Sequence, residues 1–197
     1  MGVAFSDLEM ETIRKKLIAR ARECLTRYGI QKTSVKDIVS AAGISTGAFY
    51  RFYESKEQLF FEVMEDMERE IYAEAIEVLE KRTDLVQRER VILAINSSFI
   101  KMDKLGLMPV WEAESAYMLR RLPDNVLENH YSAESSRIVD ILSEFKIHTT
   151  LPAKEVAEIF QFLLTYLFKL KEFGKERSQS ESEFIIRAIC EKLLPDS

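Results

Sequence analysis

Apolar residues recur along this chain at steps of three and four, and little interrupts them. Six glycines and four prolines among 197 residues leave few points where a helix must stop. No segment shows the apolar/polar alternation of a half-buried strand. The pattern therefore predicts an all-α protein of about nine helices with short connections. The first helix aligns Leu8, Ile13, Leu17, Ala21, Leu25 and Tyr28. Asp7, Glu9 and Glu11 sit near its amino end and Arg22 and Arg27 near its carboxyl end, as the helix dipole favours. Gly29 follows as a stop. Thr33-Ser34 opens a second helix, with Ser34 and Asp37 spaced as a capping box. Val35, Ile38, Val39 and Ala42 form its stripe, and Gly43 ends it. Ser45 or Thr46 starts a short third helix with Phe49 and Phe52, three apart, turned inward. Ser55 and Gln58 open a fourth that runs to about Arg82. Further helices are expected over about 84–104, 109–121, 123–147, 152–173 and 181–194. The prolines 109, 123 and 152 fall in tolerated first-turn positions, and the polar stretch 174–182 reads as a loop.

The overall charge of −5 hides an asymmetry. Residues 12–56 hold ten Lys/Arg against three Asp/Glu, whereas residues 59–197 hold 18 against 26. A surface that binds phosphates needs local positive charge, not a high overall pI. The first third therefore faces nucleic acid and the remainder does not. Cys24 and Cys190 stand at opposite ends with no metal-binding spacing, as thiols of a reducing cytosol would. The stretch Met1 to Lys16 mixes charges and lacks the apolar run of a secretory signal. Ile159 to Leu170, the most apolar run, is far shorter than the roughly 20 residues of a membrane span. A soluble, cytoplasmic protein is expected. No nucleophile elbow, phosphate loop, dinucleotide fingerprint or metal cluster appears, so no catalytic residue, metal or cofactor is expected.

Residues 33–59 read TSVKDIVSAAGISTGAFYRFYESKEQL. Two short helices joined by a glycine turn, the second led by small polar residues, make a helix-turn-helix. Ser45, Thr46, Gly47 and Ala48 are small enough to let a helix enter a major groove. A glycine within a helix costs about 1 kcal/mol relative to alanine, so Gly47 implies a close approach of backbone to something. Tyr50 suits a phosphate, and Arg51 a guanine or a phosphate. Lys32, Thr33, Ser34, Lys36 and Lys56 lie at helix starts, where phosphates bind.

These residues closely resemble the signature of the TetR (tetracycline repressor) family. The elements are Thr33, Ile38, Ala42-Gly43-Ile44-Ser45, Gly47-Ala48-Phe49-Tyr50-Arg51-Phe52-Tyr53 and Ser55-Lys56-Glu57-Gln58-Leu59. The detailed match covers about residues 12–60, and Phe52-Tyr53 replaces the commoner Tyr/His-Phe. The resemblance implies an Ω-shaped homodimer that binds operator DNA and is released by a small-molecule effector. Residues 1–54 would be the DNA-binding domain and 55–197 the ligand-binding and dimerisation domain. The helices at about 152–173 and 181–194 would pair with their copies in the dimer. The effector would lie among the fourth to eighth helices. Phe99, Met102, Trp111, Glu114, Tyr117 and Phe160 form a Met- and aromatic-rich candidate set there. A packed core with solvated glutamates is the simpler account of Trp111, Glu114 and Tyr117.

Overall fold

The computed structural model describes residues 5–170 and 175–195. Among them every regular element is an α-helix: α1 (Asp7–Tyr28), α2 (Val35–Ala42), α3 (Thr46–Phe49), α4 (Lys56–Lys81), α5 (Gln87–Lys104), α6 (Leu107–Leu119), α7 (Asp124–Glu144), α8 (Ala153–Leu170) and α9 (Lys175–Leu193). The all-α expectation holds, and most boundaries fall within a few residues of those read from the sequence. The exception is the polar stretch expected as a loop. Residues 175–182 are helical, and position 174 lies outside the described residues. Lys, Glu, Arg and Gln are good helix formers, so the want of an apolar stripe is no bar to a helix.

The chain divides into two compact units. The first comprises Met1–Glu68 with Pro109–Leu122, and the second Arg69–Met108 with Pro123–Ser197. In the first unit α1 begins with a capping box: Ser6 N–H donates to Glu9 Oε2 at 2.8 Å and Glu9 N–H to Ser6 Oγ at 3.4 Å. Its far end stops at Gly29, where φ of +77° favours glycine and the N–H bonds to Cys24 and Leu25 carbonyls. α1 packs on α2 and α2 on α3. Leu17, Leu25, Ile30, Ile38, Phe49, Leu59 and Phe60 are fully buried there.

In the second unit α5 packs on α9, α7 on α8, and α8 on α9. Leu79, Ile92, Leu142, Val156, Leu167, Ile186 and Leu194 share its core. Burial in that core pushes the Cys190 thiol up to about 12, which makes it a weak nucleophile. Helix α8 is divided in two. Phe160, Leu163 and Leu167 are buried, while Phe162 and Tyr166 on another face are 76% and 48% exposed. No described helix is long and apolar enough to cross a membrane.

Candidate nucleic-acid interface

The two short helices of the head owe their geometry to three local devices. Ser34 caps α2 and forms the expected capping box with Asp37. Gly43 closes α2 at φ +70°, its N–H bonding to the Val39 carbonyl at 3.0 Å. Ser45 then caps α3, its Oγ accepting from Ala48 N–H at 3.1 Å. The result is a leading edge of Ser45, Thr46 and Gly47, all exposed. Tyr50 is 57% exposed and Arg51 is exposed, while Phe49 is fully buried.

Phe52 departs from its expected inward place. Tyr53 fills the core position beside Phe49, at 5.8 Å between rings, and Phe52 is only half-buried. The helix ends at Phe49, so the three-residue spacing no longer carries Phe52 round to the same face. Phe52 instead meets Phe5, with ring centroids 6.2 Å apart, and the Arg51 guanidinium lies 5.0 Å over that same Phe5 ring. The Phe5 ring ahead of α1 thus steadies an exposed cation just past α3. Arg14 makes a forked bond to Glu62 behind this surface. Burial beside that carboxylate pushes the Tyr53 hydroxyl well above the ordinary tyrosine range.

A glycine in a helix usually answers an internal need, and Gly47 has none. A Cβ built there would come no nearer than 3.9 Å to another atom, the Ser45 hydroxyl oxygen. Its backbone is also one that any residue adopts. The fold of this chain therefore sets no requirement for glycine at 47.

The other expected DNA contacts divide. Lys32, Ser34 and Lys36 are exposed as expected of phosphate contacts. Thr33 is buried, and its hydroxyl donates to the Gly29 carbonyl at 2.7 Å. Lys56 turns inward too, donating from Nζ to the Ile30 and Thr33 carbonyls at 2.8 Å each. An ammonium has three donors, so one remains for a phosphate. Spacing alone could not tell these two from their exposed neighbours, because each stands beside a helix start whatever its side chain turns to.

The opposite side of that turn is held by α6. Glu114, buried, accepts from Ile30 N–H at 3.1 Å and from Gln31 Nε2 at 3.1 Å. Tyr117 donates to Glu57, a second buried carboxylate, at 2.7 Å, and Arg121 lies 4.4 Å over the Tyr117 ring. Burial first and then the Glu57 carboxylate raise the Tyr117 hydroxyl above its usual range. Gly29 leaves the room for this carboxylate, since a Cβ on it would fall on Glu114 Oε1. Gly29→Ala is therefore expected to lower the unfolding free energy by at least about 2 kcal/mol, through backbone strain and displacement of Glu114. A urea titration checks this, and an unchanged midpoint would count against the tight turn.

Residues 17–63 match the family model for bacterial regulatory proteins, tetR family. The HTH-type transcriptional repressor KstR2 of Mycolicibacterium smegmatis is 27% identical over 132 residues, 66% of this chain and 63% of that protein. The repressor AcnR of Corynebacterium jeikeium is 34% identical over 88 residues, 41% of this chain and 47% of that one. The match thus spans less than two thirds of either relative. A crystal structure of a TetR-family regulator from Rhodococcus sp. covers 91% of this chain and 99% of its own, with a TM-score of 0.61 at 18% identity. That likeness extends the fold beyond the head. Residues 17–63 thus match the TetR-family model, and the rest of the chain shares the fold of such regulators.

The stretch that matches the family model contains every residue expected to contact DNA, but the expected effector contacts are scattered. Phe160 lies in the core of the second unit with Phe99 packed against it, and Met102 is buried in that unit. Glu114 and Tyr117 belong to the first unit and are already bonded to the head. The side chain of Trp111 lies outside the described residues. Among the described residues no group of three or more His, Cys, Asp or Glu could hold a metal.

Proposed function

We propose that this chain is an operator-binding transcriptional regulator, a cytoplasmic homodimer acting as a repressor that a small-molecule effector releases. The observation that carries the DNA-binding part is Gly47: a position open on the inside, with no internal need for glycine, on the exposed edge of a basic head. In this reading residues 1–54 are the DNA-contacting part and 55–197 the part that dimerises and senses. Thr46 and Arg51 meet base edges. Ser45, Gly47 and Ala48 let the backbone approach the groove. Lys32, Ser34, Lys36 and Tyr50 hold phosphates, and Lys56 adds its third donor. Thr33 supports the turn from within.

Dimerisation is assigned to α8 and α9. Phe162, Tyr166 and Phe184 are exposed aromatics on these two helices. A shallow groove beside them is lined by Ile159, Ile185, Ala188 and Ile189. So much apolar surface is costly to leave in water. Phe99, Met102 and Phe160 supply apolar contacts for an effector, with Trp111 as a fluorescent reporter.

Two basic heads neutralising about six phosphates should make log affinity for operator fall linearly with log salt, with a slope of roughly −5. Anisotropy titrations over a range of potassium chloride concentrations measure this. A slope near zero would contradict phosphate binding by the head.

A further inference from the structure

We propose that Glu114 is a positioning residue for operator binding: from α6, its carboxylate holds the Gly29–Gln31 turn, and so the start of α2, in the DNA-binding geometry. The proposal rests on the operator-binding reading of the head and adds to it a residue more than 80 positions away in sequence.

Within the turn the Gly29 N–H bonds back to α1 and the Thr33 N–H to the Ile30 carbonyl, and the remaining polar groups of Ile30 and Gln31 are met from two sides. Glu114 takes the Ile30 N–H and the Gln31 side-chain amide. Lys56, from the first turn of α4, takes the Ile30 and Thr33 carbonyls. The Thr33 hydroxyl closes the segment on the Gly29 carbonyl. An anion and a cation therefore grip groups of opposite polarity in the same turn, and Ile30 is held by both, through its N–H and its carbonyl. Ser34, the cap of α2, follows directly, so the placement of α2 depends on how this turn is held.

The energetics argue that the grip serves more than cohesion. Glu114 is only 6% exposed, and the donors that hold it are a backbone amide and a side-chain amide, both neutral. Burying a carboxylate against neutral donors is expensive, and a packed apolar residue commonly stabilises a fold as well or better. What such a residue does supply is one defined geometry, because its oxygens accept only where donors point. Gly29 fits this account: it gives the carboxylate the space that a Cβ would occupy.

The experiment uses the full chain and fluorescence anisotropy on a selected operator and on a random duplex, with the folded fraction set by stoichiometric titration. Amide exchange at Ile30 reports the grip itself. Glu114→Gln keeps an oxygen for Ile30, and the exposed Gln31 can turn its own carbonyl to the new amide. This variant should stay within about threefold of wild type. Glu114→Ala orphans a buried N–H and should raise the operator Kd about tenfold or more. It should leave random-duplex affinity unchanged and speed exchange at Ile30. A role in cohesion alone would lower thermal stability without moving the Kd of the folded fraction. The proposal is overturned if Glu114→Ala exchanges faster at Ile30 yet binds operator like wild type, or if Glu114→Gln falls as far as Glu114→Ala. Should Glu114→Ala fail to fold, Gln31→Ala removes one of the two bonds from an exposed position. It should raise the Kd severalfold, and an unchanged value overturns the proposal. Wild-type protein that does not prefer operator to random duplex ends the operator reading itself, an outcome read separately from the variants.

Discussion

Gly47→Leu should abolish operator binding in a protein that stays folded. The position sits on the exposed leading edge of α3, and a Cβ built there meets only the Ser45 hydroxyl, at 3.9 Å. Leucine is a far better helix former than glycine, so the fold should be unharmed or slightly steadier. The branched side chain would instead stand between the helix backbone and the groove. Binding should fall to the level shown for random duplex, roughly a thousandfold or more below the wild-type operator affinity. Gly47→Ala makes the test sharper, since it should steady the helix while still weakening operator binding. Thermal melting and gel-shift titration of the two variants separate stability from recognition. A Gly47→Leu protein that binds as tightly as wild type would remove this edge from the interface.

The second large effect concerns the exposed aromatics of α8 and α9. Phe162 and Phe184 are 76% and 73% exposed. Pairing with a second copy would bury four such rings in one dimer. At about 1.5 kcal/mol for each ring, their removal costs about 6 kcal/mol. That is about four powers of ten in the dimer dissociation constant. Phe162→Glu with Phe184→Glu also places carboxylates in the interface, which adds repulsion. The double variant should sediment as a monomer at micromolar concentration and lose most operator affinity, since one head then reads one half-site. A dimer of unchanged mass would move the interface elsewhere.

The head was readable in the sequence because its signals are local. Ser34 with Asp37, Gly43 at a left-handed turn and Ser45 ahead of α3 act within three or four residues, and each appears in the structure where its chemistry placed it. The buried Phe49 follows from the same short-range logic. Phe52 lies beyond the end of a four-residue helix, where the three-residue spacing no longer fixes a face. Lys56 and Glu114 have roles set by partners distant in sequence, while Thr33 is buried onto the Gly29 carbonyl, and none of these roles is marked by spacing. Lys56 reads as one more cation at a helix start until the Ile30 carbonyl is found beside it. Glu114 and Tyr117 share a helix face with the spacing of ligand contacts, and only the fold reveals that the head holds both. A buried carboxylate has no mark in sequence that separates a ligand contact from an internal brace. The polar start of α9 was hidden for another reason: its helix propensity is ordinary, but no apolar stripe announces it.

In the proposed complex the edge from Ser45 to Arg51 reads bases. In vitro selection from a random duplex library tests it most directly, run with wild type, Thr46→Ala and Arg51→Ala. The wild-type dimer should enrich a palindrome whose half-sites lie about one helical turn apart, or slightly more. Each variant should relax preference at one symmetric pair of positions, by about 1–3 kcal/mol, and leave the others intact. Selection of the same sequence with the same preferences by all three proteins would contradict the account.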